Sequence, residues 1–402
     1  MRGHGAREGT DANRRGGARE GQTPVKGQAS AALWALRLCC AAMFVCGLAT
    51  GCSRARPVQE HSPAPALERL QAQGVKAVYF TGAAFAGLVS KPPVWLPVED
   101  RDFASPRVRT MAQAALDPKL FRQLDRQERF EVLLLAGDPV RYRPLQEHLV
   151  RTRDWTLEWV DPWCLLYRRG KTEELTLEAT RAMAGRFAQQ KPGVRAQSLA
   201  AMAERLVGAQ RFEEALELIG LARAADAGEP AVWTAEGSYR LARGEWAQAV
   251  AAADKALAVE KHYAAAQAVK AQGLYFSKRF EEAYVLSRGL LEAAPEDPVM
   301  LFAHAKIAHE VRSIQEEIEV LRKLIGFAER EKRSTSSYRV YLGQALAMRG
   351  AGEEALAELD AALADPDLPP DQLDFARSAR GRVELKVRPA VPAQPEEGRP
   401  QK

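Results

Sequence analysis

"WTAEGSYRLARGEWAQAVAAADKAL", residues Trp233 to Leu257, sets small residues at fixed distances: Gly237, Ala249 and Ala256, with Trp246 three places before Ala249. The spacing returns every 34 residues. Blocks 196–229, 230–263, 264–297 and 298–331 stack Ala203, Gly237, Ala271 and Ala305 in one column, and Ala215, Ala249 and Ala283 in a second. Phe212, Trp246 and Phe280 make a third column, and Ala222 and Ala256 a fourth. A fifth block, 336–369, regains the phase after a four-residue insertion, with Gly343, Ala355 and Ala362. A period of this length marks a stack of like supersecondary units, each too small to bury its apolar face alone. Small residues at two facing points let antiparallel helices approach closely, and the aromatic plugs the gap to the next pair. The fourth block carries Glu317 where the others carry Ala, which predicts longer or tilted helices there.

This stretch resembles the tetratricopeptide repeat (TPR), with Trp233, Gly237, Gly244, Trp246, Ala249 and Ala256 all at family positions. The resemblance implies a mainly α fold: a right-handed TPR helical solenoid of about five helix pairs over 196–369, here preceded by a small α/β domain. Residues 171–195 read as a capping or linking helix, 370–388 as a C-terminal cap and 389–402 as a disordered Pro/Glu-rich tail. In the family, the first helix of each pair lines the concave face. That places Gln197, Ala200 and Glu204 there, then Ala231, Thr234, Ser238 and Leu241, then Ala268, Gln272, Tyr275 and Phe276, and last Phe302, Lys306 and His309. The Lys/Asn set that clamps a peptide carboxylate in some members is missing. The groove reads as small-sided and apolar towards the third and fourth pairs, which suits an extended or helical segment of a protein partner. Tyr275 and Phe302 either line that groove or pack between helices.

Upstream, 66–170 reads as the α/β domain. "VKAVYFTG" (75–82) and "FEVLLLAG" (130–137) are continuous, β-branched or aromatic runs ending in Gly, as buried parallel strands are. "WTLEWV" and "WCLLYRR" flank Asp161-Pro162 and predict a hairpin at the sheet edge. Helical spacing with a break at Asp117-Pro118 precedes the second strand, and Pro144 starts a further short helix. The turn after the second strand sets Asp138, Arg141 and Arg143 at a carboxyl edge, a candidate anion site. The opposing reading is a capped turn with solvated arginines. "YRPLQEHLVRTRDWTLEWVDPWCLLYRRG" (142–170) resembles the soluble tail domain of membrane glycosyltransferases that use polyprenyl-phosphate sugars. It has no catalytic motif, so the resemblance implies an accessory role.

The first 51 residues belong to neither domain. Leu38 to Ala49 is an apolar run that as a helix reaches roughly 18 Å, against about 30 Å of hydrocarbon core. It fits a secretory h-region behind Lys26 and Arg37. "LATGC" (48–52) resembles the lipobox of bacterial lipoprotein signal peptides, which implies cleavage before Cys52 and a diacylglycerol thioether on it. The longer run from Ala31, as an uncleaved anchor, is interrupted by Arg37. Residues 1–25 are polar and Gly/Arg-rich, longer than such leaders run, which puts the true start near residue 25. The Pro/Ala-rich stretch 52–65 is a tether, and Ser53 implies an outer-membrane address facing the periplasm in a Gram-negative cell.

Composition narrows the rest. The chain has 402 residues with 47% hydrophobic and 27% charged content, a globular balance. Its net charge is +5, and residues 1–51 hold seven Lys/Arg against three acidic residues, leaving about +1 for the body. Such a body has no footprint for nucleic acid. Four of the five cysteines lie at 39–52, so Cys164 can form neither a disulfide framework nor a metal quartet. His304 and His309 are five apart and do not share a helix face as metal ligands would. No set of nucleophile, base and orienting group stands out, and no cofactor is implied. The reading is a lipid-anchored interaction scaffold or assembly factor, not an enzyme. The alternative is an accessory subunit of a glycan-assembly system.

Overall fold

The computed structural model describes residues 117–137, 139–170, 174–330, 334–366, 368 and 370–387, together with 66, 69, 70, 72, 73, 78–80, 110 and 113–115. The leader, Cys52, the tether, Asp138 and the tail lie outside the described residues.

Strands β1 (Val78–Phe80), β2 (Val132–Ala136), β3 (Trp155–Val160) and β4 (Cys164–Arg169) form one sheet in the order β1-β2-β4-β3. β1 runs parallel to β2, with Val78 opposite Val132, and the β3–β4 hairpin adds antiparallel to β2, with Leu134 opposite Leu166. Helix α1 (Pro118–Glu128) starts where Asp117 accepts a hydrogen bond from the Lys119 amide at 2.8 Å. Helix α2 (Arg143–Thr152) carries Pro144 in its first turn, where a missing N–H costs nothing. Alternation along β2 sends Val132, Leu134 and Ala136 to one face and Leu133 and Leu135 to the other.

The second face is not closed by α1 and α2 alone. After α3 (Leu177–Gly185), helices α4 (Pro192–Gly208) and α5 (Phe212–Ala225) continue the same core. Leu133, Leu165 and Tyr167 belong to one buried cluster with Met202, Leu206, Leu218 and Val232. Arg205 seals this joint from α4. Its guanidinium donates to the Pro162 carbonyl at 2.9 Å, the Gly137 carbonyl at 3.1 Å and the Tyr142 hydroxyl. The α/β domain and the first helix pair are therefore one packed body.

The remaining hairpins are α6 (Pro230–Ala242) with α7 (Trp246–Val259), α8 (Ala264–Phe276) with α9 (Phe280–Ala293), and α10 (Pro298–Glu310) with α11 (Ile314–Arg330). Then come α12 (Ser336–Arg349) with α13 (Gly352–Ala364), and the closing α14 (Pro370–Val387). Each second helix packs on the next first helix, α5 on α6 through to α13 on α14. The two small-residue columns face each other inside the pairs. A Cβ added at Gly237 would lie 2.6 Å from Val269 and 3.4 Å from the Ala249 carbonyl; at Gly343 it would lie 2.7 Å from Leu359 and 3.1 Å from the Ala355 carbonyl. This is a tetratricopeptide-type solenoid preceded by a small α/β domain.

Each hairpin turns through one left-handed residue, in register: Gln210 (φ 59°), Gly244 (76°), Lys278 (61°), Arg312 (60°) and Gly350 (91°). The residue after each of them donates to the carbonyl five places earlier, Glu245 to Arg240 at 2.9 Å for example, which is the Schellman closure. Pair four departs as its sequence foretells: α11 has 17 residues where α5, α7 and α9 have 14. Among the described residues no helix is long and apolar enough to cross a membrane.

Candidate functional site

The first helices of the pairs do not stay equally close. α4 packs on α6, and α6 on α8, but α8 and α10, and likewise α10 and α12, have almost no backbone contact. A cleft opens between α8 and α10, walled by Ala268, Ala271, Gln272, Tyr275, Ser287, Leu290, Met300, Ala303 and Ile307. It holds about 20 Å³ of free space, enough for one water- or methyl-sized group.

The predicted groove residues divide accordingly. Gln272, Tyr275, Phe302 and Lys306 come together at and beside the cleft. Lys306 Nζ sits 5.7 Å from the Tyr275 ring centroid and 5.9 Å from that of Phe302, between the two faces. Phe302 in turn meets Tyr338 and Tyr341 edge-on at 5.3 and 5.4 Å. Burial, with Glu310 nearby, pushes the Tyr275 phenol up to about 12.

Others are corrected by the structure. Thr234, Ser238 and Leu241 are fully buried, because α4, α6 and α8 close over that stretch of the concave face. The Thr234 hydroxyl donates to the Pro230 carbonyl at 2.9 Å, inside its own helix. Phe276 turns away to stack on Trp246, centroids 4.5 Å apart. His309 turns to Glu317, with Nδ1 3.0 and 3.1 Å from its two carboxylate oxygens. That contact raises the imidazole above its ordinary value. At the first pair Ala200 and Glu204 are buried, and burial raises the Glu204 carboxyl to about 7 against the pull of Arg205. Gln197 remains exposed and donates to Glu229 at 2.8 Å.

At the carboxyl edge of β2 the described residues surround the turn that carries the candidate anion residues. Arg205 from α4 already occupies the Gly137 carbonyl there. Arg143 opens α2 half-buried, and Arg141 lies in the short 3-10 turn Pro139–Tyr142. Cys164 is a buried thiol pushed well up by burial and by Asp161, whose carboxylate also accepts the Trp163 and Cys164 amides at 2.7 and 2.8 Å. Among the described residues no three of His, Cys, Asp and Glu gather as a metal site.

Sequence reasoning missed the cleft's far wall and a polar relay behind it. His304 Nδ1 lies 2.8 Å from Ser287 Oγ, and its Nε2 lies 3.1 Å from Glu316 Oε1. Glu316 also accepts from Tyr284 and, at 3.1 Å, from Ser313. Burial, partly offset by Glu316, holds the His304 imidazole below its ordinary value. The relay ties α9, α10 and α11 at one point. Tyr338 and Tyr341, three apart on one helix, were a legible face pair that the repeat columns passed over.

No protein-family model and no curated protein matches the chain. Among solved structures it is similar to YrrB, a TPR protein with an unusual peptide-binding site, at 17% identity over 51% of this chain and 100% of that one, TM-score 0.41. It is also similar to MamA (41-end) from Desulfovibrio magneticus RS-1, at 16% over 50% and 96%, TM-score 0.36. A tetratricopeptide repeat protein from Parabacteroides merdae ATCC 43184 follows, at 12% over 68% and 98%, TM-score 0.33. The repeat assignment rests on this chain's own coincident columns and turns.

Proposed function

We propose that the chain is an interaction scaffold that holds another protein by a segment laid across α8, α10 and α12. The observation that carries this reading is the parting of α8 from α10 beside a half-buried strip of Tyr275, Lys306, Phe302, Tyr338 and Tyr341. Aromatic rings give large contact area at small entropic cost, which makes them anchors of bound segments. The lipobox resemblance at 48–52 supports an envelope location, with a lipid on Cys52 and the tether 52–65 holding the body off an outer membrane, and a role in assembly there.

A photo-crosslinking side chain placed at Tyr341 in cells should capture a partner, and one at exposed Val285 on α9 should not. The Tyr341 product should weaken strongly when Phe302→Ala or Tyr275→Ala is added. Equal capture from both positions, indifferent to those substitutions, sinks the groove reading.

A further inference from the structure

Gln272 is the odd residue of the cleft. The residue is 4% exposed, and neither Nε2 nor Oε1 has a hydrogen-bond partner. Around it the wall is Ala268, Ala271, Leu290, Met300, Ala303 and Ile307. Of the other polar side chains there, Ser287 is engaged with the Tyr284 carbonyl at 3.1 Å and with His304, and Tyr275 turns its ring face to Lys306. A buried amide left without partners costs free energy, so native structures rarely keep one unless something supplies its bonds. Both ends are buried and unpartnered, so the point holds whichever way the amide is turned.

We propose that Gln272 reads the main chain of an extended partner segment, its Nε2–H donating to a peptide carbonyl and its Oε1 accepting a peptide N–H. The inference rests on the scaffold reading above and names what the cleft accepts. An anion would satisfy the donor and face the acceptor unfavourably, and a cation the reverse; a neutral amide matches both. In an extended strand one residue offers its N–H and C=O on the same side, as in a hydrogen-bonded strand pair. A helical segment has already used those groups internally. The free space beside the amide is only about 20 Å³, so α8 and α10 part further to admit the main chain, and the residue read is small, Ala or Gly. Tyr275, Lys306 and Phe302 then meet the flanking side chains.

The test uses the full chain and a random library of linear 12-residue peptides displayed on phage. Peptides are kept when Phe302→Ala or Tyr275→Ala weakens their binding. For the best of these, Gln272→Met should weaken binding about tenfold, the worth of two hydrogen bonds. N-methylating the peptide nitrogen that faces Gln272 should cost a similar factor on the native chain and nothing further on Gln272→Met. Replacing the Ala or Gly beside it with Leu should abolish binding. Unchanged helix content and an unfolding midpoint at or above the native one show that Gln272→Met folds. If peptides respond to Phe302→Ala while Gln272→Met binds within twofold of native, the main-chain reading is wrong and the scaffold reading stands. If no selected peptide responds to either ring, both fall.

Discussion

The left-handed column in the five hairpin turns gives a prediction with an internal control. Gly350 has φ 91°, and a Cβ built there meets nothing within 4 Å. Gly350→Ala therefore carries no steric clash with neighbours, only the backbone penalty of an L residue in the left-handed region, about 1–2 kcal/mol. Gly289, inside α9, is equally open to an added Cβ but has no positive φ. There the same change should stabilise by about 0.5–1 kcal/mol, the helix preference of Ala over Gly. Lys278 already bears a side chain at φ 61°. Lys278→Gly should gain between zero and about 1 kcal/mol, because relief of strain is partly offset by the freedom of Gly in the unfolded chain. Solenoids unfold by pairs, so native-state hydrogen exchange is the suitable assay, resolved over α12–α13 and α8–α9, with urea midpoints alongside. Gly350→Ala should lower protection in α12, α13 and α14 and leave α4 and α5 untouched. Shifts of the same sign for Gly350→Ala and Gly289→Ala would show that backbone conformation does not govern these turns.

Arg205→Met removes the donors to Gly137, Pro162 and Tyr142 and should cost about 2–4 kcal/mol. Hydrogen exchange should rise together in β2, β4 and α4; a rise confined to α4 would mean that the joint is not one body. The two histidines of pair four should pull stability in opposite directions. His309, raised by Glu317, stabilises fully below its ordinary value near 6.5 and loses that contribution as pH rises through its higher folded value. His304, lowered by burial, stabilises above 6.5 and loses its contribution as pH falls through its lower folded value. In thermal unfolding scanned from pH 5 to 8, His309→Gln should flatten the alkaline limb and His304→Gln the acid one; an unaltered alkaline limb in His309→Gln overturns the pairing. Cys52→Ser should leave the membrane fraction, since each buried lipid CH₂ adds about 0.8 kcal/mol of affinity. Persistence in the pellet after a carbonate wash contradicts the lipobox reading.

The repeat was legible because helix contact leaves a mark on composition: an added Cβ would crowd Val269 at Gly237 and Leu359 at Gly343, and the same column elsewhere holds Ala203, Ala271 and Ala305. The turns were less so. Three of the five left-handed positions hold Gln210, Lys278 and Arg312, so a search for Gly finds only Gly244 and Gly350. The face of each first helix could be assigned from the repeat, but its exposure could not. Thr234 and Gln272 lie four residues apart in phase on neighbouring first helices, and whether such a residue opens to a groove depends on how far apart the helices stand. Arg205 was hidden for a different reason: its partners include two backbone carbonyls, which no side-chain pattern records.

The departures from the repeat gather in pair four and on its border with pair three. Phe302 stands in a column that otherwise holds Ala200, Thr234, Ala268 and Val340, and Glu317 in one that otherwise holds Ala215, Ala249, Ala283 and Ala355. Glu317 is 1% exposed, and a carboxylate so buried is tolerable only with a partner, which His309 supplies. The neighbouring Ser287–His304–Glu316 relay spends further buried polar groups at the same level. None of these residues improves on the Ala, Gly and Leu that serve the first two pairs. Local rules broken together, on the helix whose two neighbouring first helices both stand apart from it and beside an amide left unpartnered, are what a binding site imposes on a scaffold. By this reasoning, exchanging the pair-four exceptions for their repeat counterparts, Phe302→Ala with Glu317→Ala and His309→Leu, should yield a chain at least as resistant to urea as the native one. The same chain should no longer capture a partner through Tyr341. A triple variant that unfolds earlier would show that the exceptions serve stability, and the link drawn here between irregularity and binding would be lost.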